Sequence, residues 1–136
     1  MIVLEAKLKG TEEQYGWLDE AIRTAQFVRS SCIRYWMDNK GVGKGDLSKL
    51  CAQLAKQFEW ANKLNSMARQ ASAERAWQSI ARFYSNYRKK KPGKKGYPRF
   101  KKNTRSVEYK TSGWKLSDDR RSITFTAGFE AGSFSM

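Results

Sequence analysis

The amino-acid sequence predicts an α+β protein in which three helices are inserted between the first strand and the later strands of one small sheet or barrel. Three observations predict this class. Apolar and polar residues alternate over 2–8, apolar residues recur every three or four positions between about 12 and 89, and the period returns to two after 106. The 136 residues suffice for one domain, or for two small subdomains that share a core.

The first strand and the first helix follow directly from local pattern. IVLEAKL, at 2–8, alternates as a half-buried strand does, and we expect it to pair with strands that follow the helices. TEEQ then forms a capping box, with Thr11 at the N-cap and Gln14 at the third helical position. The apolar steps that follow predict a helix from about 12 to 38. Three arginines are expected off its apolar stripe: Arg23, Arg29 and Arg34.

Two more helices are predicted after a glycine-rich linker at 39–46. The linker lacks the spacing of a phosphate-binding loop and does not follow a strand, so a nucleotide site is not expected. Asp46 is expected to cap the second helix, which runs to Phe58. After a junction at 59–65, the third helix runs from about 66 to 89. Its expected core face includes the large residues Trp77, Ile80, Phe83, Tyr84 and Tyr87.

A basic loop and a set of strands complete the chain. Pro92 and Gly93 end the third helix, and strands are expected at 106–111, 113–116 and 121–126, with a turn at 117–119 and a last short strand near Phe134. The predicted organisation is a first barrel strand (1–10), a helical lobe (11–91), a basic loop (92–105) and hairpin strands of the barrel (106–136).

The composition argues against several classes of protein. Forty per cent of the residues are hydrophobic, too many for a disordered charged chain. There is no apolar run of about 20 residues, and Glu5 interrupts the N-terminal apolar stretch, so we expect neither a spanning helix nor a signal peptide, and a cytoplasmic protein. Histidine is absent, and the two thiols, Cys32 and Cys51, cannot supply a four-ligand zinc site and are expected in the core.

The carboxylates do not predict catalysis. A two-metal nuclease requires several acids that converge on one pocket. Here the 13 acids are dispersed over helix starts, exposed helix faces and turns, and no GxSxG, HExxH or CxxC motif occurs. We therefore expect no catalytic residues, no metal and no cofactor.

The positive charge predicts a polyanionic partner. The formal net charge is +14, and RKKKPGKKGYPRFKKN at 88–103 contains no acid. Lysine and arginine neutralise phosphates, and interleaved rings can stack on unpaired bases, whereas membrane binding needs a broad exposed apolar face. Tyr97 and Phe100 could equally anchor the loop to the protein. The candidate nucleic-acid-binding residues are Arg75, Arg82, Arg88, Lys89, Lys90, Lys91, Lys94, Lys95, Tyr97, Arg99, Phe100, Lys101, Lys102 and Arg105.

Four segments resemble the N-terminal part of the TnpB family of transposon-encoded, RNA-guided DNA endonucleases, also called OrfB transposases. They are AQFVRSSCIRYW (25–36), ASAERAWQSIARFYSNY (71–87), KKGYPRFKK (94–102) and SVEYKTSGWKLSDDRRSITF (106–125). GYPRFK after a helix that ends in aromatic residues is the most specific of these. The resemblance covers most of the chain, up to about Phe125.

The resemblance implies an oligonucleotide-binding-type wedge barrel interrupted by a helical recognition lobe, a region older descriptions call a helix-turn-helix. In the family these parts bind guide RNA and a short duplex DNA motif beside the target. Family members continue into a RuvC-like nuclease and a zinc ribbon. This chain stops before both, so the resemblance implies a truncated, nuclease-less module whose barrel is incomplete.

Two other functions remain open at this stage. The chain could be a stand-alone regulator that binds DNA at transposon ends, or a subunit completed by a separate nuclease chain. Because an incomplete barrel leaves strand edges unpaired, self-association is also expected. Preference for structured RNA over duplex DNA would favour the RNA-guided module over the regulator.

Overall fold

The computed structural model describes residues 3–100, 105–126 and 131–136, and this part of the chain is α+β. It contains four helices followed by an open three-stranded antiparallel sheet. The helices are α1 (Glu12–Asp38), α2 (Lys44–Gln57), α3 (Glu59–Asn62) and α4 (Ser66–Arg88). The strands are β1 (Trp114–Leu116), β2 (Ser122–Phe125) and β3 (Gly132–Ser135).

Helix α1 has the bounds that the sequence predicts, because its capping box forms. The Gln14 backbone N–H donates to Thr11 Oγ1 at 3.2 Å, and the Thr11 backbone N–H donates to Gln14 Oε1 at 2.9 Å. The Gln14 amide also donates to the carbonyls of Ala131 (2.9 Å) and Ser133 (2.8 Å). One side chain therefore both starts α1 and attaches β3 to it.

The starts of the later helices correct one prediction and add one element. Helix α2 begins at Lys44 with Gly43 as its N-cap, so Asp46 is not the cap but the third helical residue, whose carboxylate accepts from the Gly43 N–H at 2.8 Å. The predicted junction contains the short helix α3. Asn65 then caps α4 by accepting from the backbone N–H groups of its first turn.

The main core lies where α1, α2 and α4 meet. Small residues on α4 let α1 approach closely, and the buried members are Val28, Cys32, Ile33, Trp36, Leu47, Cys51, Ala73, Ala76 and Ile80. Both thiols are free and buried, as the sequence predicts. Burial raises the pKa of Cys32 to about 12, so this thiol is protonated and unreactive at neutral pH.

The core face of α4 is narrower than the sequence predicts. Ile80 is fully buried, but Trp77 and Phe83 are only partly buried. Tyr84 and Tyr87 are 42% and 66% exposed. The C-terminal part of α4 therefore presents rings to solvent.

A second cluster attaches the sheet to the helices. Val107 and Tyr109 pack against a buried cluster that includes Leu64 and Ala68. The Tyr109 ring lies 5.3 Å from the ring of Phe125 in β2. Through these contacts the segment before β1 becomes part of the helical core.

The predicted hairpin is present. β2 pairs antiparallel with both β1 and β3. Arg120 adopts a positive φ of 60° in the turn, which the Ser117 and Asp119 side chains brace by accepting from the Arg121 N–H. Phe134 in β3 is fully buried, and its ring lies 6.0 Å from that of Tyr15.

Two predicted strands are absent. Residues 3–8 form no strand and are largely exposed, although Lys9 makes an isolated antiparallel bridge with Ser135, with N–O distances of 2.8 and 3.0 Å. Residues 106–111 are also irregular. Alternation of apolar and polar residues does not produce a strand in either segment, because a strand also needs a hydrogen-bonded partner strand along its length. Among the described helices, none is long and apolar enough to cross a membrane.

Candidate nucleic-acid interface

The segment 94–100 of the basic loop is docked on α1 and α4. Pro98 is fully buried. The Asn86 amide donates to the Lys95 carbonyl at 3.1 Å, and Arg29 Nη1 donates to the Arg99 carbonyl at 3.1 Å. Gly96 has a φ of 76°, a conformation that residues with a side chain rarely adopt. These contacts fix the path of this part of the basic loop.

The Tyr97 ring anchors the docked segment. It lies 5.4 Å from the ring of Trp36 and 5.1 Å from that of Phe83, in the second case edge to face. Half of the residue (51%) nevertheless remains exposed. The sequence left anchoring and base stacking open for Tyr97; the ring contacts show anchoring, whereas base stacking stays a prediction.

The docked segment and the helices enclose a groove of about 740 Å³, here called the basic groove. Its lining residues are Arg29, Ser79, Arg82, Phe83, Lys94, Lys95, Gly96, Tyr97 and Arg99. Five of these nine are lysine or arginine and none is acidic. The groove therefore combines high positive charge with a wall made of two aromatic rings.

Arg29 lines the basic groove and corrects a sequence-based expectation. It was expected off the buried stripe of α1, yet it is only 8% exposed. Burial, together with the nearby charge of Arg75, lowers the pKa of Arg29. No carboxylate in the described ranges pairs with it. A buried guanidinium whose charged neighbour is another guanidinium favours an anion nearby.

Arg75 and Arg105 extend the positive surface beyond the basic groove. Arg75 Nη1 donates to Ser106 Oγ at 3.0 Å, beside Arg29. Arg105 forms an ion pair with Asp19, which partly neutralises it. Of the predicted arginines on α4, Arg75 and Arg82 thus face the basic loop and the residues that follow it.

Arg88 faces a different groove. It lines a second depression of about 590 Å³, here called the aromatic groove, together with Trp77, Ala81, Phe83, Tyr84 and Tyr87. A 120° rotation separates Arg82 from Arg88, because six residues of helix advance by 600°. Phe83 lines both grooves, so they adjoin each other.

The remaining predicted site residues are spread around these grooves. Lys89, Lys90 and Lys91 follow the end of α4 and are exposed. Phe100 is 44% exposed and lines another depression beside α1. Lys101 and Lys102 lie outside the described residues.

Arg29 was not predicted as a site residue, although its position in the sequence carries a signal. Arg29 follows Ala25 by four positions and precedes Cys32 by three, which places it on the buried side of α1. A charged residue at such a position needs either a partner or a ligand.

Several of the described carboxylates have partners outside the basic groove. Within residues 3–100, 105–126 and 131–136, no group of three or more His, Cys, Asp or Glu side chains could hold a metal ion. Glu74 pairs with Lys110 at 2.6 Å, for example, and Asp119 holds the hairpin turn.

Comparison with known proteins adds nothing to this geometry: neither a family model nor a curated protein matches the chain.

Proposed function

We propose that the chain is a nucleic-acid-binding module that holds the phosphate backbone of duplex DNA and of structured RNA in the basic groove. The resemblance to the TnpB family suggests that the DNA is the motif beside a target and the RNA a guide. In this proposal the protein acts in the cytoplasm and binds without cutting.

The basic groove carries this proposal. Its five basic side chains come from α1, α4 and the docked loop, and no carboxylate among its lining residues competes with a bound anion. Each phosphate that is neutralised releases condensed counterions, which makes such a surface bind polyanions strongly at low salt. Phosphate contacts position a nucleic acid and read no sequence, so the proposed role is holding rather than recognition.

The positions of the carboxylates support binding without cleavage. Glu20, Asp38 and Glu74 pair with basic neighbours, and Asp46 accepts a hydrogen bond from the Gly43 N–H at the start of α2. Phosphodiester cleavage by two metal ions needs acids beside the bound phosphate. The lining of the basic groove contains cations, two aromatic rings, Ser79 and Gly96, but no carboxylate.

The test is the salt dependence of binding. With roughly six phosphate contacts, log K for duplex DNA should fall with log salt at a slope of about −5. Replacing Lys94 and Lys95 by Gln should flatten the slope by up to about one unit per lost contact and weaken binding to all sequences alike. Fluorescence anisotropy with labelled duplex DNA and hairpin RNA measures both.

The control changes the same charge away from the basic groove. Lys49 and Lys56 are exposed on α2, so their double replacement by Gln should leave the slope nearly unchanged. Binding that is indifferent to salt and to Lys94 and Lys95 would refute the proposal. Metal-dependent cleavage by the purified chain would refute its second part.

A further inference from the structure

The aromatic groove exposes aromatic rings, which a helix face that only contacts solvent does not need. Tyr87 is 66% exposed and Tyr84 is 42% exposed. Tyr84 is held in place, because its hydroxyl accepts from Trp36 Nε1 at 2.8 Å. The Tyr87 ring contacts only the Phe83 ring among the described rings, at 6.3 Å and tilted. The groove therefore presents two rings to solvent: that of Tyr84, which a hydrogen bond holds in place, and that of Tyr87, which is more exposed.

The charges around the aromatic groove favour a neutral, aromatic ligand that is attached to an anion. Its lining residues include Arg88 and no acid. It lies at the C-terminal end of α4, where the helix dipole is negative and disfavours a phosphate directly on the helix end. A base that stacks on the rings avoids this repulsion, while Arg88 and Lys89 can reach the adjoining phosphates.

Continuity with the basic groove indicates which ligand supplies such a base. Phe83 lines both grooves, and its ring lies 5.1 Å from the ring of Tyr97 in the basic groove and 5.9 Å from the ring of Tyr84 in the aromatic groove. A strand whose phosphates lie in the basic groove can therefore place its bases across Phe83 in the aromatic groove. A paired duplex cannot do this, because its bases are paired and stacked inside the double helix.

We infer that the aromatic groove binds unpaired bases of a single-stranded segment whose phosphates occupy the basic groove, with Tyr87 and Tyr84 as stacking rings. This inference rests on the proposed function. It adds a class of substrate: nucleic acid with an unpaired stretch is bound by two adjoining surfaces, whereas duplex uses only the first.

The test compares ligands that differ only in their bases. An oligonucleotide of about 12 nucleotides should bind more tightly than an abasic oligonucleotide of the same length and charge, by about 5- to 150-fold if one base stacks. Tyr87→Ala should remove most of that difference and leave duplex affinity and its salt slope unchanged. Tyr87→Phe should behave like the native protein, because stacking needs the ring and not the hydroxyl.

The exposed position of Tyr87 keeps the test free of folding artefacts, and thermal melting of each variant by circular dichroism checks this. Equal affinity for the normal and abasic oligonucleotides would overturn the inference. So would an equal loss of single-strand and duplex binding in Tyr87→Ala. Both results leave the proposed function standing if the salt slope persists, whereas loss of salt-dependent binding to every ligand would refute the proposed function itself.

Discussion

Single residues determine the charge of the basic groove, and Arg29 is the one whose position opposes stability. Its guanidinium is buried, its pKa is lowered by that burial and by Arg75, and its hydrogen bond to the Arg99 carbonyl is to a neutral group. Removing a charge from water costs several kcal/mol unless an ion pair or a ligand compensates. In the described part of the chain no carboxylate does so. A bound phosphate would supply the missing charge.

Arg29→Met is therefore expected to separate binding from stability. The salt slope for duplex DNA should flatten by about one unit, because one phosphate contact is lost. The free energy of unfolding should not fall, since apolar replacements of buried charges are often neutral or stabilising. Urea denaturation and anisotropy titrations measure the two quantities.

Arg23→Met is the matched control for Arg29→Met. Arg23 lies on the same helix, is exposed, and forms a surface ion pair with Glu20. The same loss of charge should leave both the slope and the stability nearly unchanged. If Arg29→Met instead lowered stability strongly and left the slope intact, Arg29 would serve to hold the segment 94–100 and not a phosphate.

The secondary-structure elements show which features of the fold the sequence periodicity can predict. The bounds of α1 follow from a capping box and an uninterrupted apolar period, both of which are local. The width of the buried face of α4 is not local, because it depends on where α1 and α2 cover that helix. Ile80 lies under this cover, whereas Tyr84 and Tyr87 do not. For the same reason the sequence identified the lysines of the basic groove but not Arg29, whose role depends on the docking of a distant loop.

The uneven cover of α4 predicts uneven energetics along it. Ile80→Ala should lower the free energy of unfolding by about 2–5 kcal/mol, because it leaves a cavity in the core. Gln78→Ala, at an exposed position of the same helix, should change it by less than about 0.5 kcal/mol. Urea denaturation followed by far-ultraviolet circular dichroism compares the two. Equal midpoints would show that α4 does not pack as described.

At the scale of the whole molecule, the net charge and the open sheet have opposite effects on self-association. β1 is an edge strand of the described sheet. The Ser117 N–H donates to the Ser122 carbonyl, and the Thr126 N–H donates to the Gly113 carbonyl. Because hydrogen-bonded and non-hydrogen-bonded pairs alternate along an antiparallel ladder, the backbone groups of Trp114 and Leu116 point away from β2. Both side chains are also partly exposed. Such an edge can pair with another chain, but a formal net charge of +14 keeps two copies apart at low salt.

Salt should therefore have opposite effects on the proposed nucleic-acid binding and on the self-association of this protein. Raising the salt concentration should weaken the proposed nucleic-acid binding by reducing counterion release. It should also screen the repulsion between copies, because the screening length falls from about 10 Å at 0.1 M to about 3 Å at 1 M. Sedimentation velocity should show a dimer fraction that grows with salt. Leu116→Lys should suppress the dimer, because it places a charge on the β1 edge. Gln53→Lys, which adds the same charge on exposed α2, should not suppress it. A protein that stays monomeric at high salt and high concentration, or that responds equally to both substitutions, would show that the β1 edge is not an association surface.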